Sequence, residues 1–466
     1  MIKLSKFLAI VLLLMVPVAH AKNYKLPGFG EGNAVSLDQE YYLGRAWLMS
    51  FRRQSPILDD PLIQSFVEHL VYRLAETSRL KERRLEIIVV DNESISAFTT
   101  PGGIIGIHSG VLKTAQTRAQ FSSILAHELA HLGRQHFVKE TVSRRKSPEA
   151  GLAALLRKMV LVAVSSPDAS TGRGLRYSPQ YEKDADGLGI YAQASAGLDP
   201  GGTAEMLTVM QEELAGYGPL PPEYFRTHPV TQKRIADAQA EADRFSGRIH
   251  EASREFQLMR ARVTLSFIQS NDEAIAHFRE KRSAGGRQAV PAQYGLILAL
   301  TSGGYLKEAK QLLAPMREFA PENIVYKIAE ANIHVKASEF ESAIALLEDG
   351  LARAPGNHPL TMSLANAYIG GERYAEADEL LSGHSRRHPS DAHLWKLLAD
   401  VQGKTENLLG MYQSQAEYFA LNDALERAIA SLDQALGVAR NQITSERIST
   451  RIAYFEAIKG AAEVLR

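Results

Sequence analysis

The sequence predicts two domains of different fold class: an α+β N-terminal domain, mostly helical with a small sheet, and then an all-α solenoid. Three observations support this prediction. Apolar residues recur every three or four positions from Phe121 to Leu132, without Pro or Gly, which is typical of an amphipathic helix. The short β-branched run from Leu85 to Val90 indicates a strand. The C-terminal half has an internal repeat, which indicates a solenoid.

Length and composition agree with more than one domain. A chain of 466 residues with 45% hydrophobic residues can bury several cores. The 53 basic residues balance 53 acidic ones, and a charged run such as Arg144–Lys146 is more typical of a loop than of a binding surface. We therefore expect no nucleic-acid partner.

The N-terminus predicts export across a membrane. Lys3 and Lys6 precede an apolar run from Phe7 to Val18, and Ala19–Ala21 has the small-residue pattern of a cleavage site. The run is too short for a stable membrane span. Residues 1–21 are therefore predicted to be a signal peptide. The chain has no Cys, which excludes a lipoprotein anchor and disulfides and weakly favours an oxidising compartment.

The most informative motif of the chain is H-E-x-x-H at residues 127–131. On a helix, His127 and His131 lie on one face, about 40° apart around the axis, so that both rings can bind one Zn²⁺. Glu128 lies beside them, where it can take a proton from water. A metzincin would need Gly and His where this chain has Arg134 and Phe137, so that class is excluded.

A carboxylate from a later helix is the alternative third ligand. Ser178 can cap that helix and Pro179 can begin it, which places Glu182 and Asp186 on one face. Glu182 can complete a His₂Glu site, and Asp186 can accept a ring N–H from a ligand histidine. Without His127 and His131, the same residues are more typical of a solvated acidic face.

These motifs together resemble a known peptidase family. HELAH at residues 127–131 is followed by E-x-x-A-D at residues 182–186 and by the pair His228–Pro229, with Arg234 six residues beyond His228. This order is similar to that of the peptidases related to the CAAX prenyl endopeptidase. The upstream segment Ala97–Ile104 and His136 also match the family, which usually has Asn where this chain has Ser96.

The resemblance implies a zinc endopeptidase with one Zn²⁺ per chain. It implies that His228 and Arg234 stabilise the developing oxyanion, although His228 can instead occupy the open position of the zinc at rest. The strand after Leu85–Val90 is expected to bind an extended peptide along its edge. The predicted site residues are His127, His131 and Glu182 as ligands; Glu128, His228 and Arg234 as catalytic residues; Asp186 and His136 as supporting residues; and Ser96, Ala97, Phe98 and Thr99 as the edge strand.

The segment Thr141–Gln180 differs from its surroundings because it is rich in Ser, Gly and Pro. It lies between the two ligand-bearing helices, so we expect it to gate the active site. Within it, Gly151–Val164 is apolar apart from Arg157 and Lys158. That stretch is predicted to be a helix that covers the site, with peripheral membrane contact as the alternative.

The C-terminal half repeats with the 34-residue period of tetratricopeptide repeats, whose stacked helix pairs bind protein segments. An earlier helix pair is predicted at Arg254–Ser283, and a degenerate end at Ala392–Val401, Leu408–Phe419 and Ala424–Val438. The positions that keep the interval are Pro321, Pro355 and Pro389; Ala309, Ala343 and Ala377; Leu312, Leu346 and Leu380; and Leu313, Leu347 and Leu381.

We therefore expect a signal peptide at 1–21, a zinc metalloprotease domain at 22–250 and a tetratricopeptide domain at 251–466. This arrangement resembles a group of periplasmic proteases of Gram-negative bacteria. The resemblance implies chaperone-like activity toward misfolded or stalled outer-membrane proteins, at the machinery that assembles outer-membrane β-barrels. The alternative is a proteolytically silent chaperone or scaffold that docks on that machinery through its repeats.

Overall fold

The computed structural model describes residues 37–78, 80, 83–136, 177–217, 222–245 and 253–465. The predicted signal peptide, most of the predicted gate with its Gly151–Val164 helix, and the predicted domain boundary at residue 250 lie outside the described residues. None of the described helices is long and apolar enough to cross a membrane.

The N-terminal half combines helices with one small sheet, as its sequence predicts. Its helices are α1 (Leu37–Gln54), α2 (Pro61–Thr77), α3 (Ser109–Thr114), α4 (Arg118–Gly133), α5 (Pro179–Ser195), α6 (Gly202–Ala215), α7 (Glu223–Thr227) and α8 (Gln232–Ala242). Its strands are β1 (Glu86–Val90), β2 (Ala97–Thr100) and β3 (Ile104–His108).

The sheet has the order β1-β3-β2, with β1 parallel and β2 antiparallel to the central β3. The predicted strand after Leu85–Val90 is therefore an edge strand, shifted by one residue toward the C-terminus. Gly106 of β3 permits this packing, because a Cβ there would lie 2.1 Å from the ring of Phe98.

The C-terminal half is entirely helical among the described residues. The helix pair expected at Arg254–Ser283 is present, and so are the three helices expected at the end. The helices are α9 (Arg254–Ser266), α10 (Asn271–Ser283), α11 (Ala289–Ser302), α12 (Leu306–Phe319), α13 (Ile324–Lys336), α14 (Phe340–Arg353), α15 (His358–Gly370), α16 (Tyr374–Ser385), α17 (Ala392–Lys404), α18 (Leu408–Leu421), α19 (Leu425–Val438) and α20 (Gln442–Leu465).

The 34-residue period appears in both side-chain burial and backbone conformation. Ala309, Ala343 and Ala377 are all fully buried where the helices of a pair pack together. The turn inside each pair contains a residue in the left-handed region, where Gly is favoured over other residues. These turn residues are Gly304, Ser338, Glu372 and Glu406, with φ of 83°, 60°, 59° and 57°.

The two faces of the sheet pack into different apolar cores. Ile87 and Val89 of β1 face the main core, which runs through α2 and α4 into the repeats as far as α17. Ile88 and Val90 face a second core, formed by α1 with the C-terminal helices α18–α20. Helix α1 therefore lies between the sheet and the end of the solenoid.

A polar seam joins the two halves of the molecule at the start of β1. The carboxylate of Glu86 accepts hydrogen bonds from Arg45, Arg52 and Ser390, at 3.1, 2.8 and 2.7 Å. Arg52 also donates to the carbonyl of Ser390. The seam connects α1, the sheet and the turn before α17.

A second contact lies beside this seam. His393 Nδ1 is 2.8 Å from the Asp59 carboxylate, which precedes α2. The repeats therefore pack directly on the N-terminal half.

Candidate metal centre

Helix α4 carries the H-E-x-x-H motif in a fully buried stretch. The side chain of Thr117 caps the helix by accepting from Gln120 N, so α4 begins at Arg118, while Thr114 ends the separate helix α3. The side chains of His127, Glu128 and His131 are all buried. Their position on a rigid, capped helix fixes where the two rings point.

Helix α5 supplies the carboxylates and begins as its sequence predicts. Ser178 accepts from Tyr181 N, and Pro179 is the first helical residue. Glu182 and Asp186 lie on the face that packs against α4, and both are buried. Gly189 on α5 permits the close approach of the helices, because a Cβ there would come within 3.2 Å of the His127 backbone nitrogen.

The four predicted residues nearest the candidate site converge on one point. One ligand atom from each of His127, His131, Glu182 and His228 lies within 4.8 Å of the others. His131 Nε2 lies 3.0 Å from His127 Nε2 and 3.4 Å from Glu182 Oε1. His228, at the end of α7, places its Nδ1 2.8 Å from Glu182 Oε1 and 3.3 Å from His127 Nε2.

Asp186 and Arg234 lie directly behind this group. Asp186 Oδ1 is 2.9 Å from His127 Nδ1, the ring nitrogen that faces away from the cluster. Arg234 contacts both oxygens of Asp186 at 2.8 Å and lies 2.7 Å from Glu182 Oε2. It also donates to the carbonyl of Pro229. All three guanidinium nitrogens of Arg234 thus contact the supporting structure.

Glu128 faces the cluster from the opposite side. Its Oε2 accepts a 3.4 Å hydrogen bond from Thr99 Oγ1 on the edge strand β2. Its Oε1 has no hydrogen-bond partner among the described residues and lies 3.8 Å from His228 Nε2. The other predicted edge-strand residues do not make this contact: Phe98 packs on Trp47 and Phe51 of α1.

His136 lies at the outer nitrogen of the second motif histidine. Its Nδ1 is 3.1 Å from His131 Nδ1, and its Nε2 is 3.5 Å from Asp184. Asp184 also pairs with Arg134 at 3.0 Å. Sequence reasoning did not identify Asp184, although it lies on α5 between Glu182 and Asp186.

Two tyrosines border the histidines and were not found from sequence. The ring of Tyr177 lies 4.2 Å from that of His131, and the ring of Tyr224 lies 4.7 Å from that of His228. Tyr224 precedes His228 by four residues, and its carbonyl accepts from His228 N. The four-residue spacing of Tyr224 and His228 in the sequence could have indicated that the two side chains lie close together.

Burial and neighbouring charges set the protonation of the centre. Burial raises the pKa of Glu128 above its ordinary value. Burial also lowers the pKa of His131 well below its ordinary value. For Glu182, burial by itself would raise the pKa. The charge of His228 and hydrogen bonds from His131 and His228 outweigh burial and hold the pKa of Glu182 well below its ordinary value. The pKa values of Glu182 and Glu128 are therefore shifted in opposite directions.

Comparison with known proteins finds one family match in each half of the chain. Residues 61–242 match the model of Peptidase family M48, and residues 334–401 match a tetratricopeptide repeat model. The β-barrel assembly-enhancing protease of Escherichia coli (strain K12) is 27% identical over 422 residues, which cover 88% of this chain and 86% of that protein. The protein of the same name from Yersinia pestis is 25% identical over 440 residues, or 91% and 90% of the two chains.

A shorter match covers less than half of the chain. The mitochondrial metalloendopeptidase OMA1 of Arabidopsis thaliana is 28% identical over 187 residues, which are 40% of this chain and 37% of that protein. The matched family implies a metal, and the buried group of three imidazoles and one carboxylate fits a metal site. The chain is therefore a metalloendopeptidase that carries a peptidase family M48 domain followed by tetratricopeptide repeats.

Proposed function

We propose that this chain is a zinc-dependent endopeptidase of the periplasm, with chaperone-like activity, that acts in the quality control and assembly of outer-membrane β-barrel proteins. The observation that carries the proposal is the buried convergence of His127, His131, Glu182 and His228 beside Glu128. The relatives named β-barrel assembly-enhancing protease support the substrate class. The sequence pattern of residues 1–21 supports the compartment.

We propose zinc as the metal, with His127, His131 and Glu182 as its ligands. Two imidazoles and one carboxylate are the ligand set of catalytic zinc in many peptidases, which keep a fourth position open. A bound zinc ion supplies Lewis acidity, which polarises a carbonyl and makes water more acidic. His228 fits either of two roles: a fourth ligand at rest, or a hydrogen-bond donor to the developing oxyanion.

Glu128 is the proposed proton carrier. Its Oε1 is buried and has no hydrogen-bond partner among the described residues, so it is available to an attacking water. Thr99 holds the other oxygen and thereby orients the carboxylate. Because burial raises the pKa of Glu128, the group can take the proton of the water and later give it to the leaving amine.

Arg234, Asp186 and His136 are proposed to position the ligands. Asp186 accepts from the outer nitrogen of His127, a contact that fixes the tautomer and the ring orientation. Arg234 neutralises Asp186 and Glu182 together, and its contacts favour this role over that of an oxyanion donor. His136 does for His131 what Asp186 does for His127.

The edge strand β2 is proposed to bind substrate. It pairs with β3 on one side only, and Thr99 connects it to Glu128. An extended peptide that adds to this edge would run past the catalytic carboxylate. Main-chain pairing gives weak sequence preference, which suits unfolded or flexible substrates. The residue preceding β2 is Ser96, whose hydroxyl is shorter than the Asn side chain usual in the family.

The repeats are proposed to hold the substrate or to dock on the machinery that assembles outer-membrane β-barrels. Stacked helix pairs commonly bind protein segments. A proteolytically silent scaffold would use the same surface without chemistry. Such a scaffold has no need for a buried carboxylate whose Oε1 lacks a hydrogen-bond partner among the described residues, so the site favours the peptidase.

The decisive experiment compares wild type with Glu128→Gln in casein cleavage and zinc content. We expect the variant to retain the zinc of the centre, because Glu128 is not a proposed ligand. We expect cleavage to fall by about 10²–10⁴-fold, as for other missing acid–base groups. Glu318→Gln, an exposed carboxylate of α12, is the matched control and should cleave like wild type.

A Glu128→Gln variant that cleaves casein within a few-fold of wild type would overturn the mechanism. The same variant also serves as a substrate trap. Expressed in the periplasm, it should accumulate outer-membrane β-barrel precursors in crosslinked complexes more strongly than wild type does. Equal recovery with both forms would favour the scaffold over the peptidase.

A further inference from the structure

Three histidines of the repeats gather away from the metal centre. His358 is the first residue of α15, His384 lies in the last turn of α16, and His388 follows four residues later in the turn beyond it. One ring nitrogen of each lies within 4.8 Å of the others. His358 and His384 are buried, and His388 is half-buried. Neither the proposed peptidase mechanism nor the repeat pattern uses these residues.

The rings are arranged around a shared nitrogen contact. His358 Nδ1 lies 3.0 Å from His384 Nε2, and the two ring planes differ by 7°. The ring centres are 5.2 Å apart, which is close to the sum of the N···N distance and the radii of the two rings. The two rings therefore meet edge to edge and do not lie one above the other. The His388 ring lies over this junction, 4.3 and 4.4 Å from the other two. One proton at most can occupy the N···N contact.

A carboxylate supports the outer nitrogen of His358. Its Nε2 lies 3.4 Å from Asp391 Oδ2. Asp391 is itself held in place, because its other oxygen caps α17 through Leu394 N. A carboxylate on the far nitrogen is the usual companion of a metal-binding histidine, because it fixes the tautomer that presents a lone pair to the metal. Asp391 lies at this outer position, where it favours the tautomer whose Nδ1 lone pair faces the cluster.

The cluster is neutral near pH 7, which is the form that binds metals. Burial lowers the pKa of His358 to about 3 and that of His384 to about 4, and it also lowers the pKa of His388. The charged groups that face the cluster are Asp59, Asp391, Arg387 and His393. None of the three rings carries a charge that a cation would have to displace.

We propose that His358, His384 and His388 form a second zinc site, located in the repeats beside the contact between His393 and Asp59. Three imidazoles with an open fourth position are a ligand set that zinc accepts. Two nitrogens on one tetrahedral zinc ion, each at about 2.0–2.1 Å, are about 3.3 Å apart. The present 3.0 Å contact is therefore near the required spacing. On binding, the proton of this contact moves to the other nitrogen of its own ring, and the rings turn toward one ion.

The site would link α15, α16 and the turn that leads to the seam. His388 lies one residue before Pro389 and two before Ser390, whose hydroxyl and carbonyl contact Glu86 and Arg52. A metal at the three histidines therefore ties the repeat helices to the segment that meets the N-terminal half. The three histidines would bind a divalent transition metal, and the open fourth position leaves room for water or a further ligand.

The test uses the full-length chain with the first centre disabled by His127→Ala and His131→Ala. Titration of this metal-free protein with zinc should show about one bound ion per chain, together with a rise in Tm. Adding His384→Asn should abolish both effects. Adding His277→Asn, which replaces a half-buried histidine of α10 outside the cluster, should leave both unchanged.

His388→Ala provides an independent check, because His388 is the least buried of the three and its loss is the least disruptive to folding. It should weaken zinc binding at least tenfold while circular dichroism stays unchanged. The proposal is overturned if the disabled protein binds no zinc stoichiometrically. It is also overturned if binding persists unchanged in His384→Asn and His388→Ala. Casein cleavage by wild type is independent of both outcomes, so this proposal and the peptidase function fail separately.

Discussion

Two pairs of histidines with identical spacing occupy different settings in this molecule. His127 and His131 lie within one helix, and their rings are inclined at 63° around the ligand cluster. His384 and His388 are also four residues apart, but the second lies beyond the end of its helix and the rings are nearly parallel, at 27°. The first pair is flanked by Glu182 and Asp186, whereas Asp391 is the carboxylate that the described residues place against a ring nitrogen of the second cluster. The same four-residue spacing therefore leads to two different settings, one rich in carboxylates and one built from imidazoles.

The largest expected difference between the clusters concerns Arg234. This residue compensates two buried carboxylates in the first centre, and the described residues around the second cluster include no equivalent bidentate pair. Arg234→Met should destabilise the metal-free protein by about 3–5 kcal/mol, because it leaves buried charges unpaired. Urea unfolding measures this loss.

Arg234→Lys is the control for that change, because it retains the charge and loses the bidentate geometry. Arg234→Lys should lower the free energy of unfolding by less than Arg234→Met does. Equal stability of wild type and Arg234→Met would mean that the carboxylates do not depend on Arg234 for compensation.

A matched pair of substitutions compares the two supporting carboxylates directly. Asp186→Asn and Asp391→Asn each remove the charge that faces the outer nitrogen of a histidine. Asp186→Asn should weaken zinc binding at the first centre by about 10–100-fold, and Asp391→Asn should do the same at the second. Competition with a chelator measures both constants. Weaker zinc binding at the other centre, or unchanged zinc binding at both centres, would contradict the assignment of these residues.

Acid should lower the free energy of unfolding through the buried neutral histidines of the repeat cluster. The pKa of His358 in the folded protein is about 3, below the 6.5 of an ordinary histidine, so the unfolded chain binds the proton more tightly. Stability is therefore complete above pH 6.5 and falls as the pH decreases toward 3. At pH 5, this residue should account for a loss of about 2 kcal/mol.

Metal-free wild type and His358→Asn should therefore differ in the slope of unfolding free energy against pH between 6.5 and 5. The variant should show the shallower slope. Identical slopes would mean that His358 is already protonated in the folded state at pH 5.

The smallest expected effect concerns the turns that carry the repeats and leaves both clusters intact. Glu372 is exposed and adopts the left-handed conformation in the turn before α16, where a side chain costs about 1–2 kcal/mol. Glu372→Gly should therefore raise the unfolding free energy by about 1 kcal/mol. Gly304→Ala, at the equivalent position of an earlier repeat, should lower it by a similar amount. A decrease for Glu372→Gly would show that the side chain contributes contacts that outweigh the strain.

The sequence predicted those parts of the molecule in which local spacing carries the information. His127 and His131 are four residues apart, with Glu128 between them in the sequence. Ser178 and Pro179 mark the start of the helix that carries Glu182. The repeats were visible because Ala309, Ala343 and Ala377 recur at a fixed interval. In each case, the geometry of one helix determines which side chains share a face.

The features that escaped prediction depend on contacts between distant segments. His358 is 26 residues from His384, and no motif relates them. Glu86 reads as an ordinary charged residue at the start of a strand, yet it is bonded by residues of α1 and by Ser390. Thr117 caps the motif helix, which begins at Arg118, three residues before the first apolar position of the predicted periodic stretch.

Helix α1 lies between the sheet and α20, so the first and last described helices share one core. During synthesis, α1 emerges long before α20. Until the last helix follows, Leu43, Trp47 and Phe51 of α1 cannot all be covered. Completion of folding must therefore wait for the whole chain, and a chain truncated before α20 would expose this apolar surface.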